Sequence, residues 1–102
     1  MAKLELTDKM GIITKEALEA LIKRASDVSC ECPGHLIQIF QKVKAFTEYQ
    51  KNCLNETPQD ELIHKWLETS SVNMEHILSN TIITLARMEG MIDEDNNIVG
   101  DD

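Results

Sequence analysis

A chain of 102 residues has the length of one compact domain built on a single modest core. Its 42% apolar content is too high for a disordered chain, and 4% aromatics with two prolines favour helices over strands. Eighteen acidic against ten basic side chains give a formal charge of −8, which opposes direct binding to nucleic acid or anionic lipid, and no apolar run reaches the ~20 residues of a membrane span.

Residues 1–13 show no sustained period and are interrupted by Gly11, so they are expected to form a loose arm. Thr14 is a fair N-cap for KEALEALIKRA, in which Leu18, Leu21, Ile22 and Ala25 fall on one side at helical spacing. This first helix should fade by Asp27. Pro33 suits the first position of a second helix, which makes Cys32 its expected N-cap. From Gly34 onward Leu36, Ile39, Phe40, Val43, Phe46, Gln50 and Cys53 recur at steps of three and four, which reads as one core-facing side.

After a short join, TPQDELIHKWL repeats the start signal, with Thr57 as N-cap, Pro58 at the first position, and Asp60 and Glu61 near the positive helix end. The third helix carries a broad apolar face from Leu62 to Met88 and stops at Gly90, with a bend allowed at Ser70 and Ser71. Trp66 and Tyr49 are expected as packing anchors near the hinge. The predicted fold is all-α: a three-helix unit, residues 14–92, with a long antiparallel helical hairpin. Its incompletely covered face is expected to complete a bundle as a homodimer. Residues 93–102 are expected to be an acidic, disordered tail. Asp93, Asp95 and Asn97 echo a calcium loop, but Ile98 stands where glycine is required.

The chemistry concentrates in SCECPGH, residues 29–35. No signal peptide is legible at the N-terminus, so a cytoplasmic location is expected, where three cysteines are metal ligands, redox thiols or small buried groups. Thiolate and imidazole are donors that zinc prefers, and Cys30, Cys32 and His35 sit on a turn and the helix start that follows it. The positive end of the helix is expected to lower the thiol pKa. Cys53 lies 18 residues beyond His35, about 27 Å along an unbroken helix, and cannot complete the site within one chain. In an antiparallel pairing of two copies centred on Lys44, position 35 of one copy lies level with position 53 of the other. His64, near the hinge, is the supporting or alternative ligand, whereas His76 falls about 130° from the apolar face. No serine–histidine–acid order, phosphate-cradling loop or HExxH pair is present, so an enzyme is not expected.

The string C-E-C-P-G-H-L from Cys30, then Phe46 and Tyr49, Cys53, and Asp60 with His64, resembles a C-terminal segment of some bacterial transcription regulators of the MerR class. The resemblance covers about residues 20–90. It implies Cys30, Cys32, His35, Cys53 and His64 as the ligand-capable set, in a sensor module acting on a separate regulator, since the chain has no winged-helix DNA-reading domain. The reading is therefore a helical, homodimeric metal-binding module, with zinc as the expected ion. Its alternatives are a protein-interaction module with structural cysteines and a thiol redox switch.

Overall fold

A computed structural model describes residues 5–99 of the chain. Three helices follow one another, α1 (Lys15–Ala25), α2 (Cys32–Asn52) and α3 (Pro58–Met88). They form an elongated all-α unit of 52 × 26 × 17 Å. No helix among the described residues is long and apolar enough to cross a membrane.

Local chemistry sets most of the helix ends. Thr14 Oγ1 accepts the Ala17 N–H at 3.1 Å, and Thr57 Oγ1 accepts the Asp60 N–H at 3.0 Å, each satisfying an amide that has no partner inside its helix. Gly90, at φ +75°, closes α3: its N–H reaches the Arg87 carbonyl at 3.2 Å and the Met91 N–H reaches the Ala86 carbonyl at 2.8 Å. α2 departs from expectation by one residue. Glu31 is its flanking residue and makes no side-chain cap bond, so Cys32 lies inside the helix instead of capping it. The Cys32 N–H is directed back to Cys30 Sγ, 3.4 Å away, and needs no cap of its own.

α2 and α3 run antiparallel through the join at 53–57, and α1 packs on α2. The core gathers Leu18, Leu21, Ile37, Phe40, Ile82 and Ala86 from the helices. It also takes Leu6, Ile12 and Ile13 from the N-terminal segment and Met91 and Ile92 from the C-terminal one. The described parts of both presumed loose ends are thus structural, while residues 1–4 and 100–102 lie outside the description.

The two segments fold the same way. Asp8 Oδ1 accepts the N–H groups of Met10 and Ile12, the Asp8 N–H reaches the Ile12 carbonyl, and Gly11 turns the chain at φ +78°. Asp93 Oδ1 likewise accepts from Asp95 and Asn97, the Asp93 N–H reaches the Asn97 carbonyl, and Asn96 turns at φ +66°. Each turn is flanked by a single β-bridge, Thr7 with Ile13 and Ile92 with Ile98. An aspartate that occupies two backbone amides, followed three residues later by a residue tolerating the left-handed conformation, makes a tight hairpin without a strand.

Beyond the reach of α1 the hairpin is only two helices thick, and its interior turns polar. Thr47, Gln50, Ser71 and Glu75 are buried there. The Thr47 hydroxyl donates to Glu75 Oε2 at 2.5 Å and lies 2.5 Å from Ser71 Oγ. Lys44 Nζ approaches Glu75 Oε1 to 3.8 Å from the solvent side.

The facing of α2 also differs from expectation. Its buried positions are Pro33, Ile37, Phe40, Thr47 and Gln50. Ile39 and Phe46, assigned to the core by spacing alone, remain 48% and 40% exposed, and the supposed anchors Tyr49 and Trp66 are 65% and 67% exposed. The cause is that α2 carries apolar side chains on two faces, of which the single chain covers one.

Candidate functional site

The turn after α1 folds tightly: the Asp27 N–H reaches the Arg24 carbonyl at 2.9 Å, and Arg24 Nη1 donates to Asp27 Oδ2 at 2.7 Å. This delivers Cys30, half-buried, to the start of α2. Cys30 and His35 line one cleft of about 360 Å³ that also includes Val28 and Gln38. Cys32 is exposed, next to Cys30.

Contrary to the expected effect of the helix end, the Cys32 thiol is pushed up from its ordinary value. Hydrogen bonding with Cys30 is the largest cause, followed by the charge of Cys30, partial burial and the charge of Glu89; a backbone bond acts weakly the other way. The neighbouring Cys30 sulfur thus opposes ionisation of Cys32.

The remaining expected donors stand at the opposite end of α2. Cys53 is half-buried, and its N–H reaches the Gln50 carbonyl at 3.4 Å. Hydrogen bonding to Cys53 raises the Tyr49 phenol. His64 Nδ1 is 2.6 Å from Asn55 Oδ1, so Nδ1 carries the proton and Nε2 is the nitrogen with a lone pair to offer. His76 is exposed, its ring lying over Gly11.

Among the described residues no three His, Cys, Asp or Glu side chains converge on a metal-sized point. Of the five expected ligands the single chain brings Cys30 beside Cys32 and into one cleft with His35. Cys53 is left about 27 Å from His35 by the length of α2, and His64, bonded to Asn55, stands at the same hinge end as Cys53.

Exposure reveals an order that spacing alone had blurred. Cys32, His35, Ile39, Lys42, Phe46, Tyr49 and Cys53 succeed one another at alternating steps of three and four, forming one stripe about 130° round α2 from the residues that face α3. On α3 a second stripe at the same steps comprises Ile63, Leu67, Ser70, Met74, Ile77, Thr81, Thr84 and Met88. Both open on the side of the hairpin opposite the N-terminal turn, which covers the face bearing His76 and Ser79. The donors at the two ends of α2 therefore lie on, or beside, one bare apolar surface. The sequence signal for it was the seven-residue repeat of α2, hidden because Leu36, Phe40 and Val43 satisfy a helical period as well. No protein-family model, no curated protein and no solved structure matches this chain.

Proposed function

We propose that this chain is a helical association module that works as an antiparallel homodimer, its two hairpins stacked face to face as a four-helix bundle. The observation that carries the reading is the common height of the two stripes. Interlocking of antiparallel seven-residue repeats centres the part of the α2 stripe from His35 to Cys53 at residue 44 and the α3 stripe between residues 75 and 76. Lys44 and Glu75 touch, at 3.8 Å, so the two midpoints are level. One two-fold axis through that height aligns both stripes at once.

The size of the surface supports it too. Ile39, Phe46, Tyr49, Ile63, Trp66, Met74, Ile77 and Met88 are each 40 to 78% exposed. At about 200 Å² per large side chain this leaves on the order of 900 Å² free per copy, comparable with the ~800 Å² per partner of a stable interface. Such a dimer suits a regulatory role toward another protein better than DNA reading, which the charge of −8 opposes. The resemblance to the regulator segment supports the same direction. A second reading, metal sensing with zinc as the ion, is supported by the placement of Cys30 against Cys32 and beside His35.

Light scattering on the purified chain tests the dimer: a mass of two chains at micromolar concentration is expected. Ile77→Glu, which puts a charge at the centre of the α3 stripe, should give a monomer of unchanged helicity. A monomeric wild-type chain overturns the reading.

A further inference from the structure

We propose that Cys30 and Cys32 form a two-electron dithiol–disulfide couple at the entry to α2, which takes oxidising equivalents from small disulfides and closes a ring across Glu31. The proposal concerns the single chain and goes beyond the association reading, on which it does not depend.

The backbone already has the span that such a ring needs. Glu31 sits between the two cysteines at φ −87° and ψ −1°, a helical conformation. Residues flanking one helical residue have Cα atoms about 5.4 Å apart, inside the roughly 4.4–6.8 Å that a disulfide bridges. An extended Glu31 would open the span to about 6.6 Å or more, at the edge of that window. The side chains meet as well: the Cys32 N–H points at Cys30 Sγ, 3.4 Å away, and the two thiols are hydrogen-bonding neighbours. All three cysteines are free. Cys53, about 27 Å along α2 from His35, is out of reach, so only one pairing is open within a chain.

Accessibility gives the two sulfurs different roles. Cys32 is exposed, whereas Cys30 is half-buried at the edge of the cleft it shares with His35. The Cys32 thiolate attacks one sulfur of an incoming disulfide RSSR, forming a Cys32–S–S–R bond and expelling RS⁻. The Cys30 thiolate then attacks Cys32 Sγ: the Cys30–Cys32 bond forms, the bond to the R-bearing sulfur breaks, and a second RS⁻ leaves. The protein gives up two protons and two electrons, and RSSR is reduced to two thiols. A loop closed over one intervening residue restricts the unfolded chain least, so the ring adds little stability and stays open to reduction by excess thiol. Such a bond suits a couple that passes oxidation on and makes a poor permanent staple.

Thiol–disulfide titration of the reduced, metal-free, full-length chain is the test. The probe is bis(2-hydroxyethyl) disulfide with its thiol, an uncharged pair that the chain's charge of −8 does not repel. The wild type should fall from three free thiols to one, lose two hydrogens in mass, release two small thiols per chain, and yield a peptide bridged between Cys30 and Cys32. Cys53→Ser should close the ring as the wild type does. Cys30→Ser should stop at a mixed disulfide on Cys32, with one small thiol released. Because the fold presets the span, ring closure should be roughly tenfold more favourable in buffer than in the urea-unfolded chain. A wild-type chain that accumulates the mixed disulfide without closing, a bridge from either cysteine to Cys53 or to a second copy, or closure equally favourable in urea overturns the proposal.

Discussion

Gly11 illustrates how much one residue decides in a small core. Its φ of +78° is a conformation that side chains bearing a Cβ rarely adopt, and an added Cβ would stand 2.7 Å from His76 Nε2. Gly11→Ala should therefore cost roughly 1–2 kcal/mol or more, since it strains the backbone and displaces the imidazole as well. Gly34→Ala, in helical backbone with nothing within 4 Å, should raise stability by up to about 1 kcal/mol. Urea unfolding of the two variants checks the contrast, and equal midpoints would refute it. At this scale the caps were legible: Thr14, Thr57 and Gly90 do what their positions announce. The two aspartate-led turns were not, because an isolated hairpin has neither helical nor strand period. Their signal is an aspartate followed at the third position by Gly11 or Asn96 and at the fifth by an isoleucine that enters or borders the core.

Among the elements, the α2–α3 hairpin depends on a polar layer in its thinner half. Glu75 accepts from Thr47 and is approached by Lys44. Glu75→Ala removes that acceptor and opens a void, and should lower stability by roughly 1–3 kcal/mol, whereas Glu75→Gln keeps volume and an acceptor and should stay close to wild type. Urea titration separates the two, and an alanine variant as stable as wild type would show the layer to be dispensable. The same half contains Gln50, whose buried Oε1 has no hydrogen-bond partner, a further local cost. Helix order and the antiparallel hairpin could be read from apolar period, cap residues and the short join. The facing of α2 could not. A helix with two apolar faces has no unique inward side until its neighbours are in place, and the same ambiguity hid the stripe that connects His35 with Cys53.

The whole molecule tapers from a half built of α1, both terminal turns and the hairpin to a half built of the hairpin alone. Opening is cheapest where few apolar groups are buried, so backbone amides of residues 45–70 should exchange with deuterium faster than those of residues 78–88 in a monomeric variant such as Ile77→Glu. Under the proposed pairing the difference should shrink in the wild-type chain, and a monomer with uniform protection would contradict the taper. Of the candidate site, the donor types and the separation of its two ends were legible as residue identity and helix rise. The surface joining them was legible only in exposure. The uneven thickness has one more consequence. If, as proposed, a twin finishes the thin half while the thick half stands unaided, the protein would respond to its own abundance: on dilution the hinge end would loosen well before the rest gives way, making local order a gauge of concentration.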